Sequence, residues 1–107
     1  MKLREHPDIK ARWAMLEWNS GSYGSGDKSS TEPAGTEKGI LKDAELMSGP
    51  GKKLRLTREY DGKTQITVLK VLDDQLRTEL CDLLKGAKNK GLDEVGDLQV
   101  DLHFNPI

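Results

Sequence analysis

The chain has 107 residues, which is the length of one domain. Apolar residues make up 35% of it and charged residues 33%, a balance that predicts an unstructured part. The net charge is −1 and the pI is about 6.1. These values argue against a dedicated duplex-binding domain, for which the pI usually exceeds about 9.

Residues 1–7 lack the apolar stretch of a signal peptide. No segment approaches the roughly 18 consecutive apolar residues of a membrane span. Cys81 is the single cysteine, so an intrachain disulfide cannot form. We therefore expect a cytoplasmic protein that has no membrane partner.

Residues 1–18 are the first of three predicted segments. Pro7 suits the first position of a helix, and Ile9, Trp13 and Leu16 recur at the i, i+4, i+7 spacing of one helical face. This pattern predicts a short amphipathic helix. A helix of about 12 residues is marginal in isolation, so it must dock on another part of the protein to persist.

Residues 19–38 are rich in glycine, serine and threonine, and Tyr23 is their one large apolar side chain. Such a segment buries too little surface to offset the entropy that it loses on ordering. It is predicted to be a flexible linker. The folded core then starts near Gly39, behind a flexible N-terminal arm.

Residues 39–104 carry the patterns of the core domain. In the first run of strand length, three apolar side chains lie at even spacing: Ile40, Ala44 and Leu46. Residues 52–60 then alternate between apolar and polar, and residues 63–72 are rich in β-branched side chains. With Asp61-Gly62 between them, these two runs predict a β-hairpin.

The register of this hairpin depends on the length of its turn. A two-residue turn, Asp61-Gly62, and a three-residue loop that starts at Tyr60 differ by one residue, and a shift of one residue moves every side chain to the other face. The longer loop gathers four large apolar side chains on one face, and we therefore predict it. Its pairs are Leu56 with Ile66 and Leu54 with Val68.

A helix is predicted from Asp73 or Asp74 to about Lys90, with Gly91 as the residue that follows its end. Its apolar residues form one stripe: Leu76, Leu80, Leu83, Leu84 and Ala87. The alternation of residues 97–104 then predicts a half-buried strand. The whole pattern predicts an α+β fold in β-β-β-α-β order, with a small antiparallel sheet and one main helix.

Four runs of the chain match short motifs: Glu37-Lys38-Gly39-Ile40-Leu41-Lys42, Glu59-Tyr60-Asp61-Gly62, Leu72-Asp73-Asp74 and Asp93-Glu94-Val95-Gly96-Asp97-Leu98. They resemble the motifs of a small bacterial family of uncharacterised proteins, whose members also carry two tryptophans before a polar stretch, as Trp13 and Trp18 do here. The resemblance spans nearly the whole chain. It implies no activity, cofactor or substrate.

The chain departs from this family between the two tryptophans. The family has prolines there, whereas this chain has Ala14-Met15-Leu16-Glu17. The family pattern implies an extended segment at this point, while the spacing of the apolar residues predicts a helix.

No combination of residues predicts catalysis. Cys81 lies far in sequence from His6 and His103, so it lacks the base or cationic neighbour that a reactive thiolate needs, and the three residues do not have the spacing of a metal site. Four carboxylates near the C-terminus are expected to form a solvated face: Asp93, Glu94, Asp97 and Asp101. We expect neither an enzyme nor a cofactor.

The predicted hairpin carries an excess of positive charge that includes four candidate nucleic-acid-binding residues: Lys53, Arg55, Arg58 and Lys63. A basic sheet face can follow a phosphate backbone. Proteins that bind single strands also use stacking aromatic side chains, and only Tyr60 is available here. The alternative is an ordinary solvated sheet face, on which Lys and Arg discourage edge-to-edge aggregation.

Trp13 and Trp18 are the candidate partner-binding residues, because tryptophan dominates interface hot spots. Alternatively, both dock on the sheet and complete a thin core. The first hypothesis for function is a non-enzymatic protein-interaction module that holds another protein or a second copy of itself. The second is a weak nucleic-acid-binding domain that uses the hairpin.

Overall fold

The computed structural model describes residues 1–20 and 36–107. Most of the predicted linker, residues 21–35, lies outside the described residues. At the two ends of the linker, Asn19–Ser20 is a short strand and Thr36 is buried.

The described residues form an antiparallel sheet of four strands: β1 (Asn19–Ser20), β2 (Ile40–Leu46), β3 (Lys53–Tyr60) and β4 (Lys63–Lys70). Their spatial order is β1-β4-β3-β2. The helices are α1 (Lys10–Trp13), α2 (Asp74–Gly86) and α3 (Leu92–Gly96). The predicted α+β class, with a small antiparallel sheet and one main helix, is confirmed.

A two-residue turn joins β3 to β4, in place of the predicted three-residue loop. Asp61 and Gly62 have φ values of 56° and 75°, as in the type I′ turn whose twist matches that of the flanking strands. The flanking pair is therefore Tyr60 with Lys63. The partners further along are Leu56 with Thr67 and Leu54 with Leu69.

This register places Ile66 and Val68 on the face of the sheet that points away from the core, here called the outer face. The predicted pairing of Ile66 with Leu56 and of Val68 with Leu54 is therefore wrong. The prediction assumed that four large apolar side chains of the hairpin gather on one face. The turn preference of Asp-Gly prevails instead, and Val68 remains 43% exposed.

A β-bulge in β2 divides its side chains between the two faces. The register shifts between Leu41 and Asp43, so Leu41 and Ala44 both face the core and are both buried. Ile40 pairs with Glu59 on the outer face and is 41% exposed. The even spacing of Ile40 and Ala44 therefore does not place them on one face, because the bulge adds one residue between them.

Helix α2 begins where the sequence predicts and ends earlier. The Asp73 carboxylate accepts a hydrogen bond from the N–H of Leu76, which caps the helix. The helix stops at Gly86, a residue that costs about 1 kcal/mol relative to alanine in a helix, and so it does not reach Lys90. Gly91 is the N-cap of α3 and not the residue that follows α2.

The predicted strand at residues 97–104 is absent from the described structure. Only single bridges occur there: Lys2 with Gln99 and Val100 with Pro106. The Asp101 carboxylate accepts hydrogen bonds from the N–H groups of His103 and Asn105, and such a local bond competes with strand pairing. Within the described ranges, α2 is thus followed by α3 and an irregular tail.

Residues 1–18 pack against the core and do not stand apart from it. A 3-10 turn at Leu3–Glu5 precedes α1. The side chains of Ile9, Trp13 and Leu16 are all buried, but only Trp13 belongs to the helix. The α-helix itself ends at Trp13. The predicted helix is therefore shorter than expected: Ala14 and Met15 form a turn after it, and this turn is not the extended segment that the family pattern implies.

The core lies between one face of the sheet and a layer formed by α2, residues 1–18 and the tail. The Cys81 thiol of α2 donates a 3.7 Å hydrogen bond to the carbonyl of Ala44 in β2, which marks this contact. Of the helices described, none is long and apolar enough to span a membrane.

We predict that alanine at Gly39 is more costly than alanine at Gly49. The two glycines have φ of +92° and +94°, but a Cβ at Gly39 would lie 2.8 Å from the Glu59 carbonyl oxygen, while nothing lies within 4 Å at Gly49. Gly49→Ala should lower the free energy of unfolding by about 1 kcal/mol through backbone strain. Gly39→Ala should lower it by at least about 2 kcal/mol.

Urea unfolding followed by tryptophan fluorescence measures both values. Equal losses at Gly39 and Gly49 would contradict the close approach of β3 to the start of β2.

Candidate functional site

A groove of about 770 Å³ runs beside β4, between that strand and the N-terminal segment. The residues that matter for its chemistry are Arg12, Met15, Glu17, Ile66, Val68 and Lys70. The Met15 side chain is 73% exposed, so it forms an accessible apolar wall. Val68 supplies apolar surface on the opposite side.

The edge of β4 is only partly covered along this groove. In a hairpin with a two-residue turn, the flanking residues Tyr60 and Lys63 exchange both backbone hydrogen bonds. Since hydrogen-bonded and non-hydrogen-bonded pairs alternate, the backbone groups of Ile66, Val68 and Lys70 point away from β3.

Strand β1 pairs with Ile66 and Gln65 and with no further residue of β4. Beyond this point no residue in the described ranges pairs with the edge at Val68 and Lys70. Beside the groove, backbone donors and acceptors of β4 therefore have no strand partner among the described residues, and apolar side chains lie next to them.

The N-terminal wall of the groove is held in place by Glu37. Its carboxylate accepts a hydrogen bond of 3.1 Å from the Trp13 indole N–H and a hydrogen bond of 3.0 Å from Nε of Arg4. Arg4 also donates to the Asp97 carboxylate and, over 3.1 Å, to the Asp93 carbonyl. The hydrogen bond from Arg4 holds the pKa of Asp97 below its ordinary value of 3.8.

A second set of contacts fixes the chain around Trp18. The indole N–H of Trp18 donates to the Thr36 carbonyl over 3.1 Å, and the Thr36 hydroxyl donates to the Leu16 carbonyl over 3.0 Å. The Arg58 guanidinium lies 4.6 Å from the centre of the Trp18 ring and 4.7 Å from that of Tyr60. This stack of a cation between two aromatic rings joins β3 to Trp18, and Arg58 also donates a 2.7 Å hydrogen bond to the Lys38 carbonyl.

The predicted partner-binding residues, Trp13 and Trp18, are 1% and 3% exposed. Both rings are covered by the chain itself, so they cannot contact a partner in this conformation. Their placement matches the alternative in which both complete the core. Their contribution to the groove is indirect, since they hold the segment that carries Met15.

The four predicted nucleic-acid-binding residues do not share one surface. Arg58 faces the core side and is 4% exposed. Lys53 and Arg55 lie on the outer face, and Lys63 flanks the turn at the opposite end of the hairpin. Tyr60, the one aromatic residue that the sequence offered for base stacking, packs on Arg58 instead.

Four basic side chains near the sheet have acidic partners: Lys42 with Glu59, Lys52 with Asp74, Arg55 with Glu45 and Lys88 with Asp43. Lys53 and Lys70 are different. They face each other across β3 and β4, and neither forms an ion pair with a residue that the structure describes. Positive charge is thus uncompensated at the end of the groove.

The other residues with chemical potential have structural roles. Cys81 is buried, and desolvation raises the pKa of its thiol above the ordinary value, which makes the thiolate less accessible. Asp97 is held by Arg4, and Asp101 by backbone N–H groups. Within residues 1–20 and 36–107, no group of acidic, histidine and cysteine side chains is arranged to hold a metal ion.

A second cleft, of about 480 Å³, lies between α2 and the C-terminal tail, beside Leu83, Leu98 and Phe104. Phe104 has φ of +60° and stacks on the buried His6 ring with centres 4.0 Å apart. These contacts close the core on this side. The cleft is not bordered by a strand of the sheet, and we therefore place the candidate site at the β4 groove.

Met15, Val68 and Lys70 are site residues that were not predicted from the sequence. Val68 and Lys70 were obscured by the wrong hairpin register, which turned this side of β4 towards the core. A signal was nevertheless present: Ile66, Val68 and Lys70 alternate with Thr67 and Leu69, so one choice of turn leaves two apolar residues outside.

Comparisons with models of protein families, with curated proteins and with solved structures find no match. This agrees with the resemblance to a family of uncharacterised proteins from which no function can be transferred.

We predict that the contact of Arg4 with Asp97 makes part of the stability depend on pH. The pKa of Asp97 is lowered in the folded protein, so the stabilisation is present above about pH 4 and is lost as the pH falls through the folded pKa. Arg4→Gln removes this contribution. The difference in unfolding free energy between the two proteins should therefore shrink below about pH 4.

Urea unfolding of both proteins at about pH 7 and about pH 2.5 tests this. Asp101 also makes the stability depend on pH, because the backbone N–H of Asn105 lowers its pKa. Arg4→Gln leaves this contact unchanged, so the contribution of Asp101 is the same in both proteins and cancels in their difference. A difference of the same size at both pH values would contradict the role of Asp97.

Proposed function

We propose that this protein is a non-enzymatic protein-interaction module that binds an extended segment of a partner protein along the open edge of β4. The observation that carries this proposal is the edge at Val68 and Lys70, which β1 leaves uncovered beside the groove. An extended peptide that adds a strand here gains main-chain hydrogen bonds from β4 and side-chain contacts from the groove.

The apolar side chains around this edge support the same proposal. Met15 and Val68 are exposed on opposite sides of the groove. Natural proteins usually protect an open strand edge, because it can pair with another chain. Here the edge lies next to accessible apolar surface, which favours a site for pairing.

Nucleic-acid binding through the hairpin has weaker support. Arg58 is buried between two aromatic rings, and Arg55 pairs with Glu45. Of the four residues predicted for this role, only Lys53 and Lys63 remain exposed without an ion pair in the described structure, and they lie at opposite ends of β3 and β4. A continuous path for a phosphate backbone is therefore lacking among the described residues.

We predict that peptides selected for binding lose affinity when the N–H of Val68 is removed. Peptides would be selected on the wild-type protein from a displayed library of random sequences, and their Kd measured by calorimetry. Val68→Pro deletes the outward N–H at an edge position where proline is tolerated, and should weaken binding about tenfold or more. Val68→Thr retains the N–H and a β-branched shape, and should change Kd less than about threefold.

Two further measurements guard this experiment. Met15→Glu alters the exposed wall without touching the sheet, so it should also weaken the selected peptides even if Val68→Pro unfolds the protein. Leu102→Glu, at a 57% exposed position in the C-terminal tail, is the control that should leave Kd unchanged. Selected peptides that bind all variants equally well would refute the groove as the site, and self-association in sedimentation would point to a second copy as the partner.

A further inference from the structure

The kind of segment that the groove accepts can be inferred from the charges at the end of β4 furthest from the turn. Lys53 and Lys70 are direct cross-strand neighbours on the outer face. The side chains of such a pair lie close together, and like charges in this position destabilise a sheet. Within residues 1–20 and 36–107 neither lysine has a carboxylate partner.

Cations close to this pair do have acidic partners. The neighbouring cations Lys52 and Arg55 pair with Asp74 and Glu45. Lys53 and Lys70, at the end of the groove, place two ammonium groups side by side, and no described residue supplies a counter-charge. Arg12 on the groove wall, likewise without an ion pair among the described residues, adds a third positive charge.

Among the described residues that line the groove, Glu17 is the acidic one. It belongs to the N-terminal wall next to β1, whereas Lys70 and Lys53 lie at the end of the sheet furthest from the turn. The groove is therefore apolar along Met15 and Val68, and positive beyond them.

The spacing along β4 sets the pattern of the ligand. Val68 and Lys70 are two residues apart and share the outer face, as residues i and i+2 of a strand do. A strand paired with this edge places its own i and i+2 side chains beside them. An apolar residue then lies next to Val68, and a residue two positions away lies next to Lys70.

We propose that the β4 groove selects an extended acidic peptide, with an apolar residue beside Val68 and a carboxylate two positions away beside Lys70 and Lys53. This inference rests on the proposed function, because it assumes that the partner is a strand paired with β4. It adds the chemical class of the partner: a β-branched or other apolar residue flanked, at alternate positions, by aspartate or glutamate.

Three probes of defined chemistry test this proposal. The first is an acetylated nonapeptide with the central sequence Glu-Thr-Val-Thr-Glu, which places a carboxylate two positions from valine in either strand direction. The second replaces both glutamates with lysine. The third is a single-stranded oligothymidylate of similar charge, which carries negative phosphates but cannot pair as a strand.

Binding is followed by ¹⁵N–¹H correlation spectra of the full chain. The acidic peptide should shift the amides of Val68 and Lys70, with an affinity that falls as NaCl is raised from about 20 to about 200 mM. The lysine peptide should bind at least about tenfold more weakly. An acidic peptide N-methylated at alternate residues should lose binding as well, since it lacks the donors for strand pairing.

The variant Lys70→Glu separates binding from folding. It converts the repulsive pair with Lys53 into an attractive one, so its thermal midpoint should be equal to or above that of the wild type. Its affinity for the acidic peptide should nevertheless fall about tenfold or more. Lys63→Glu makes the same charge change at the turn end of β4 and should leave the affinity unchanged.

The outcomes distinguish this inference from the proposed function. If library-selected peptides bind at the groove but the acidic and lysine peptides bind equally, the groove is a peptide site and the acidic preference is refuted. If only the oligothymidylate shifts Lys53 and Lys70, the lysine pair is a phosphate site and the inference is overturned. If the acidic peptide shifts no amide of β4, the inference is also overturned.

Discussion

The two-residue turn at Asp61-Gly62 sets the register on which the rest of the sheet depends. Both residues adopt positive φ, which glycine does freely and aspartate tolerates. Because a strand has a side-chain period of two, this local choice decides which half of β4 faces the core. Thr67 and Leu69 face inward, and Ile66, Val68 and Lys70 face outward. The outer face, its exposed valine and the opposed lysines all follow from one turn.

The N-terminal segment adds the second wall of the groove, and buried polar contacts hold it there. The Trp13 and Trp18 rings contribute apolar burial, and both indole N–H groups are paired, with the Glu37 carboxylate and the Thr36 carbonyl. A buried N–H without a partner would cost about 1–3 kcal/mol. Glu37 and Thr36 thus allow the tryptophans to be fully covered. In this way two residues at the edge of the predicted linker determine where Met15 lies.

The charges of the sheet divide into a compensated part and an uncompensated part. Two carboxylates of β2, Asp43 and Glu45, and Asp74 at the start of α2 each pair with a cation. Exposed pairs of this kind contribute little to stability, but they neutralise the surface. At Lys53 and Lys70 this neutralisation is missing, and the positive charge coincides with an open strand edge. Positive charge beside an open strand edge is what suits this surface to an extended acidic segment, and neither feature would do so alone.

Much of the fold could be predicted from local patterns. The hairpin, the helix that begins after Asp73 and the apolar stripe of Ile9, Trp13 and Leu16 each depend on short-range spacing. Where the predictions were wrong, the cause was local chemistry that the apolar pattern did not capture. The bulge in β2 moved Ile40 outward, and the Asp101 turn replaced the last strand.

The candidate site was less predictable than the fold, because it consists of contacts between distant parts of the chain. The sequence by itself determined the α+β class, the presence of the β3–β4 hairpin and the burial of one apolar stripe. Only the tertiary structure decided that Arg58 lies between two aromatic rings, that the tryptophans are covered, and that Met15 lies opposite Val68. Local patterns report which face of an element is apolar, whereas the covering of that face depends on the docking of remote segments.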